Sequence, residues 1–406
     1  MPCVPTIVVA GFSGYGDIYL KHLLPAQEAL GVRVVAVADP DPSRSRSLAE
    51  IRAAGIEVHS TLESLYARLR PDMAILATPV HEHARHITLA LSHGSHVLCE
   101  KPLASSINDV HRLIEARRRA RKVVTIGYQW SHCPAILALR RDVSAGLFGK
   151  PRRMRTLVLW PRDASYFTRN DWAGRVSDCA GRPILDSPIH NACAHFVHNA
   201  LFVLGAGAYP TSVHAELYRA HDIESFDTAA VRTEVQTSSG DRVESLIVTS
   251  LAVERRVGPQ FCYEFDDATV TYDDADPVEG IVAHFKDGRV KRYGRPNDSH
   301  DPGKLMHFLE CARTNARPVC GIEESAAQVA VVCAAHEAVP HAHRIRASDL
   351  CESELIDCYK TMRTPHEACL SWATAGATVK VAPWQAAPKP ELTLSRRPIR
   401  LAAARR

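Results

Sequence analysis

Thr6-Ile7-Val8-Val9-Ala10-Gly11-Phe12-Ser13-Gly14-Tyr15-Gly16 is the stretch that decides the fold. Residues 6–10 are a short apolar run rich in β-branched side chains, and they stop at a glycine, as a buried strand does. Helical spacing follows, with Ile18, Leu20, Leu23, Leu24 and Leu30. Glycines at such a junction let the backbone turn tightly and approach a phosphate. The N-terminus of the following helix offers its unpaired N–H groups to the anion. The spacing Gly11-x-x-Gly14-x-Gly16 departs from the commoner G-x-G-x-x-G, so the strand–helix context carries the dinucleotide reading. The competing reading is an ordinary glycine-rich turn.

The alternation continues outward from this turn. Val32 to Ala38 reads as a second strand, closed by Asp39-Pro40-Asp41-Pro42, and residues 43–53 read as a helix ending at Gly55. Ile56-Glu57-Val58, Met73 to Ala77, residues 95–99 and Val123 to Ile126 read as further strands. Residues 81–93 and 106–120 read as helices. Strands alternating with helices predict a parallel sheet with right-handed crossovers, covered on both faces. The fold expected for residues 1–127 is therefore a doubly wound α/β, or Rossmann, domain.

The pattern changes after Gly127. Arg153 to Trp160, Val231 to Thr237, Ser245 to Val253, Gln260 to Phe265, Thr269 to Tyr272 and Ile281 to Phe285 alternate with period two. Ser239-Gly240-Asp241 and Lys286-Asp287-Gly288 are hairpin turns in composition. These features predict an α+β domain over 128–345 with a large, mostly antiparallel open sheet. Helices at 132–145, 188–204, 303–314 and 322–337 are expected to cover one of its faces. Residues 346–406 form a C-terminal extension, and its Pro- and Arg-rich last part, 385–406, reads as a poorly ordered or partner-binding tail.

Composition narrows the function. The 406 residues exceed one ordinary core. Apolar residues at 46% and charged residues at 23% fit a soluble globular protein. A net charge of +4, from 49 basic and 45 acidic residues, is too small an excess to argue for nucleic acid. No apolar run is long enough to span a membrane. Met1-Pro2-Cys3-Val4-Pro5 lacks the regions of a signal peptide, so a cytoplasmic protein is expected. The 12 cysteines include no CxxC pair and read as reduced, partly buried residues.

Four further motifs carry chemistry. Asp39 ends the second strand, where a carboxylate can accept hydrogen bonds from ribose hydroxyls and repel a 2′-phosphate. It favours NAD over NADP, with Arg44 and Arg46 nearby as the opposing signal. Its competing role is to start the turn before Pro40. Thr78-Pro79-Val80-His81-Glu82-His83 follows the fourth strand, where His83 is either functional or a packing residue at the start of a helix. Glu100-Lys101-Pro102 follows the fifth strand, at the sheet end where such folds bind ligands. Lys101 is either catalytic or a solvated loop lysine. Asp186 and His190 share a helix face if a helix begins near Ser187, and a carboxylate beside an imidazole makes a general base. The competing reading is an N-cap aspartate with an unrelated histidine. His190, His195 and His198 invite a metal, but no HExxH or Cys/His pairing accompanies them, so no metal is expected.

Taken in order, the Gly11–Gly16 loop, Ala38-Asp39, Thr78-Pro79 with His83, Glu100-Lys101-Pro102 and Asp186-x-x-x-His190 resemble the glucose–fructose oxidoreductase/inositol dehydrogenase (Gfo/Idh/MocA) family over residues 5–345. The resemblance implies NAD, or NADP, in the first domain, held by Gly11, Phe12, Ser13, Gly14, Tyr15, Gly16, Asp39, Thr78, Pro79, His83, Glu100 and Lys101. It implies a sugar, sugar acid or cyclitol against the sheet of the second domain, and a homo-oligomer, either dimer or tetramer. Carried over by position, Lys101 would polarise the reacting oxygen, His190 would be the general base, and Asp186 would assist it or bind substrate. Glu100 would support the lysine. The segment from Trp160 to Gly174 is more elaborate than the family pattern, and Arg162, Tyr166, Arg169 and Trp172, with Asn191 and His195, are candidate substrate contacts. Packing at a subunit interface is the competing reading of that segment.

The expected activity is hydride transfer between a secondary hydroxyl and a nicotinamide. The alternatives are a redox-recycling elimination that breaks a glycosidic bond, and a non-catalytic dinucleotide-binding regulator.

Overall fold

Side-chain alternation in the first strand sets the layers of the N-terminal sheet. The structure is a computed structural model describing residues 4–296, 302–361 and 377–382. Strands β1 (Thr6–Ala10), β2 (Arg33–Ala38), β3 (Glu57–His59), β4 (Met73–Leu76), β5 (His96–Cys99) and β6 (Val124–Ile126) form a parallel sheet of order β3-β2-β1-β4-β5-β6. Ile7 and Val9 face one buried layer, with Val34, Val37, Ile75 and Leu98. Val8 and Ala10 face the other, with Ala36, Ala74, Val97 and Cys99. Burial on both faces is why these strands read as continuous apolar runs.

The helices that cover this sheet are α1 (Gly16–Leu23), α2 (Leu48–Ala53), α3 (Leu62–Arg68), α4 (Val80–Ser92) and α5 (Ile107–Ala120). Ser106 caps α5 by accepting the Asp109 N–H, and Arg121 ends it in a left-handed conformation. The helix expected over 43–53 is instead a short 3₁₀ turn at Pro42–Arg44 followed by α2.

The second sheet holds β7 (Pro151–Leu159), β8 (Tyr209–Arg219), β9 (Thr228–Gln236), β10 (Arg242–Ser250), β11 (Val257–Phe265), β12 (Ala268–Asp273), β13 (Ile281–Phe285), β14 (Val290–Gly294), β15 (His343–Arg344) and β16 (Ala377–Lys380). Its order is β14-β13-β12-β11-β7-β10-β9-β8-β15, with β16 also on β8. Pairing is antiparallel except between β10 and β7 and between β15 and β8. Helices α6 (Pro134–Ser144), α7 (Ala164–Thr168), α8 (Ala194–Phe202), α9 (Gly303–Thr314), α10 (Ile322–Ala338) and α11 (Glu352–Thr361) complete the described chain.

Two helices depart from expectation. Leu305, Phe308, Leu309 and Ala312 of α9 pack with Ile7, Val9 and Leu20, so α9 covers the first sheet and not the second. On the second sheet α8 and α10 cover one face. On the other face Leu355 and Cys358 of α11 pack against Leu157, Leu246 and Val248. The helix expected over 188–204 starts only at Ala194, because residues 187–193 form tight turns, with the His190 and Asn191 N–H groups both donating to Ser187 O. The tail at 385–406 lies outside the described residues. Among the described residues no helix is long and apolar enough to cross a membrane.

Candidate active site

Strand order reverses between β1 and β4, and the loops after these strands meet at the crevice where doubly wound sheets bind ligands. Gly11 sits at φ +78°, and a Cβ there would stand 2.4 Å from Ala77 O and 2.8 Å from Thr78 N. Only glycine lets the first loop lie against the fourth. A Cβ at Gly14 would meet nothing within 4 Å, so this loop faces open space. Helix α1 starts after Tyr15 with no side-chain cap, so its N-terminal end can face an anion, although the Asp17 and Ile18 N–H groups already donate to Gly14 O and Tyr15 O at 3.2 and 3.1 Å. Asp39 is buried, with Oδ2 accepting the Ser13 N–H at 2.9 Å and Oδ1 the Asp41 N–H at 3.0 Å. This carboxylate therefore shapes the glycine loop and keeps free lone pairs. The glycine cradle, the uncapped helix end and Asp39 together fit a dinucleotide.

Three of the expected cofactor contacts have other work. The Phe12 side chain is fully buried in the apolar layer under α1. His83 is buried, and its Nδ1 and Nε2 each lie 2.7 Å from a carbonyl oxygen, those of Pro102 and Thr78. The ring ties the loop after β4 to the loop after β5 and is not offered to a ligand. Burial holds the His83 pKa down against the pull of the two carbonyls.

Glu100 is the third. Tyr19 donates to its Oε1 at 2.5 Å, Lys304 Nζ donates to the same oxygen at 2.6 Å, and the Lys101 N–H donates to Oε2 at 3.2 Å. Burial alone would raise the Glu100 pKa. The charge and hydrogen bond of Lys304 outweigh it and hold the carboxylate below its ordinary range. Glu100 thus supports the lysine through its backbone, while Lys304 on α9 neutralises it. Lys304 also donates to Tyr15 Oη at 3.1 Å and lies 4.4 Å from that ring. Nothing in the Gly303-Lys304-Leu305 sequence distinguishes this lysine from a solvated one.

The peptide bond from Lys101 to Pro102 is cis. Lys101 Nζ donates to Asn191 O at 2.7 Å and to Asn191 Oδ1 at 3.1 Å. An ammonium has three donors, so one remains for a ligand. Burial lowers the Lys101 pKa, with Glu100 opposing and Lys304 adding to the shift.

Asp186 and His190 do not form the pair expected of them. The Asp186 carboxylate accepts from the Gly174 N–H at 2.6 Å and from Asn191 Nδ2 at 2.9 Å. It orients Asn191, which in turn holds Lys101. Burial raises the Asp186 pKa against these hydrogen bonds and against the charges of Arg169 and Lys101. The pair fails because the helix that would have put both residues on one face begins after them. The preceding Leu185 has φ +55°, a strained position for a branched side chain and one that fixes where Asp186 points.

His190 has a different partner. Ser105 Oγ donates to Ile184 O at 3.0 Å, so its contact of 3.2 Å with His190 Nε2 is one in which the imidazole N–H donates. That tautomer leaves a lone pair on Nδ1, which is buried without a hydrogen-bond partner. Burial pushes the His190 pKa down to about 3, helped by the charge of Lys101 and by His336. Ser105, absent from the sequence-based site, lies three residues beyond Pro102.

The segment from Trp160 to Gly174 closes on this centre, fastened where Gly174 donates to Asp186. The Arg169 guanidinium carbon stands 3.7 Å from the Tyr166 ring centroid and 5.2 Å from that of Trp172. The Arg162 guanidinium carbon stands 5.1 Å from Tyr166. His195 packs edge-on to Tyr128, while His198 stacks on Tyr128 and meets Ser131 Oγ at 2.9 Å. Among the described residues no group of three His, Cys, Asp or Glu side chains is arranged to hold a metal ion.

Residues 6–128 match the sequence model of an oxidoreductase family, GFO_IDH_MocA, described as an NAD-binding Rossmann fold. Over residues 6–128 the chain is thus similar to the Gfo/Idh/MocA oxidoreductases. Proteins similar to it in sequence include inositol 2-dehydrogenase 1 of Saccharopolyspora erythraea, 31% identical over 40% of this chain and 48% of the relative. The dTDP-3,4-didehydro-2,6-dideoxy-alpha-D-glucose 3-reductase of Streptomyces violaceoruber is 33% identical over 38% of this chain and 45% of the relative. The chain thus spans about half the length of the relatives it matches in sequence.

Solved structures match further along this chain and speak to its fold. An Agrobacterium radiobacter oxidoreductase in complex with NAD+, L-tartaric acid and magnesium superposes with a TM-score of 0.64 at 18% identity, over 82% of this chain and 96% of its own. The WlbA dehydrogenase of Bordetella pertussis in complex with NADH and UDP-GlcNAcA gives 0.64 at 20% identity, over 82% and 96%.

Proposed function

We propose that this protein is an NAD-dependent dehydrogenase acting on a secondary hydroxyl of a sugar, sugar acid or cyclitol. The observation that carries the reading is the Lys101 ammonium, half-buried at the carboxyl end of β5, held by two oxygens of Asn191 and left with one free donor. The Gly11–Gly16 cradle, the N-terminus of α1 and Asp39 would hold the dinucleotide, whose nicotinamide supplies the hydride acceptor. The preference for NAD over NADP rests on Asp39, whose carboxylate would repel a 2′-phosphate.

The chain's own residues do the rest. The free Lys101 donor meets the reacting hydroxyl oxygen and favours its developing negative charge. His190 Nδ1, which has no hydrogen-bond partner, would take the hydroxyl proton while its Nε2–H stays on Ser105. Asp186 acts one step removed, by fixing the Asn191 amide that aims Lys101. The inactive-regulator reading is disfavoured because a half-buried, aimed lysine and a buried unpartnered imidazole are costly to keep without chemistry to perform.

A panel of polyols, hexoses, cyclitols and sugar acids, offered with NAD and with NADP and followed by absorbance of the reduced cofactor, tests the reading. NADH formation with at least one compound is expected, and NADP is expected to serve less well. Products formed with no net NADH would identify the elimination reaction instead. Tight NADH binding with no turnover of any compound would identify a sensor.

A further inference from the structure

We propose that the substrate is anionic, a sugar acid whose carboxylate is clamped by Arg162 and Arg169 over the Tyr166 ring. The proposal rests on the dehydrogenase reading above and names its substrate class. Both arginines are half-buried, and among the described residues neither forms an ion pair. What they touch is neutral: both guanidinium groups approach the Tyr166 ring, Trp172 flanks Arg169 and Trp160 flanks Arg162 at 5.9 Å. Their one recorded donation each is to a backbone carbonyl, Pro161 O for Arg162 and Tyr166 O for Arg169. Each guanidinium has five N–H donors, so most remain open to a planar anion.

The clamp belongs to the Lys101 centre. Gly174, which closes the same loop, donates to Asp186. Arg169 is close enough for its charge to act on Asp186, and Arg162 and Lys101 both act on the Cys193 thiol. The charge balance there is one-sided. Glu100 is neutralised by Lys304, and the charges of Lys101 and Arg169 both act on Asp186. Asp163 is turned to solvent, where it accepts from Ser165 Oγ and the Tyr166 N–H. A neutral polyol would leave two half-buried guanidinium groups without an anion, whereas a carboxylate supplies the missing charge and accepts from both. Tyr166 and Trp172 add apolar faces on which a sugar ring can stack.

The test compares D-glucuronate and D-galacturonate with D-glucose and D-galactose, compounds that differ at the carboxylate. Turnover is measured with NAD, and binding is measured by calorimetry on the NADH-loaded protein. The acids are expected to bind and react better than their neutral partners by about 10- to 100-fold, the effect of a charge-assisted hydrogen-bond pair. Arg162→Gln and Arg169→Gln should each raise the acid's KM by a similar factor and leave NADH affinity unchanged. Arg169→Lys should restore only part of the loss.

Neutral sugars turned over as well as acids, with the arginine variants silent, would overturn the clamp and leave the dehydrogenase standing. Variants that lose NADH affinity alone would assign the arginines to the cofactor and also overturn it. Acid binding that depends on both arginines, without any NAD reduction, would uphold the anion site and sink the dehydrogenase reading.

Discussion

Lys101 Nζ donates to both the backbone and the side-chain oxygen of Asn191, at 2.7 and 3.1 Å. A lysine side chain is long and rotamer-rich, and two acceptors from one residue fix where its third donor points. Asp186 completes the arrangement by accepting from Asn191 Nδ2. The hydrogen-bonded chain is therefore Lys101–Asn191–Asp186, and under the proposed function it is the working unit, with His190 held separately by Ser105.

Removing the holder should cost rate more than affinity. Asn191→Ala is expected to lower kcat by about 100-fold, the cost of a misaimed group, with NADH affinity within twofold of wild type. Steady-state kinetics beside a fluorescence titration with NADH separate the two. Asp186→Asn should retain more activity than Asn191→Ala, since an amide oxygen can still accept from the Asn191 side chain.

Lys304 is the partner of a buried carboxylate, so its loss strands a charge. Lys304→Met is expected to destabilise the protein by about 3–5 kcal/mol, read from denaturant unfolding. The double variant Lys304→Met with Glu100→Gln should recover much of that loss, because no unpaired charge remains. A single variant as stable as wild type would show that the pair contributes nothing.

Glycine at position 11 is required by contact as well as by φ. Gly11→Ala drives a Cβ to 2.4 Å from Ala77 O and should weaken NADH binding at least about tenfold, roughly 1.4 kcal/mol, with a lower Tm. Gly14→Ala, which has open space, should fold as wild type does, so any loss of NADH binding there reports the ligand and not the fold.

Buried neutral histidines set the acid limit of stability. His132, His190 and His198 are pushed down to about 3 and His86 to about 4, in each case first by burial. Unfolded, they titrate near 6.5. Between these values the unfolded chain binds protons that the folded chain does not, so stability falls as pH drops below 6.5. Each such histidine contributes about 1.4 kcal/mol per pH unit across that window. Tm should be flat from pH 7 to 8 and fall steeply from pH 6 to 4.5. A Tm unchanged down to pH 4.5 would contradict the buried, neutral assignment.

The first domain was legible because its signals are local. Apolar runs buried on both sides, closed by Gly11, Gly55, Gly94 and Gly127, mark strands and helix ends with little help from distant residues. The second sheet was partly legible. Strand β8 was missed because Pro210 and Glu216 interrupt its pattern, and Glu216 is nonetheless buried. Strand β14, Val290–Gly294, was missed because its side chains are mostly exposed.

At the candidate site, Lys101 was singled out by its place at a strand end, and the Asp186–His190 pairing failed on a helix start displaced by seven residues, from Ser187 to Ala194. Ser105 and Lys304 reach the centre only through tertiary packing, and Lys304 comes from a helix more than 200 residues beyond Glu100 in the chain.

The most direct measurement takes the best compound of the panel and compares NADH formation by wild type, Lys101→Ala and His190→Ala, with NADH binding as the control for folding. The account predicts that both variants bind NADH as wild type does and lose about 100-fold or more in kcat, the usual effect of removing an oxygen-stabilising donor or a general base. Full turnover by either folded variant would contradict it.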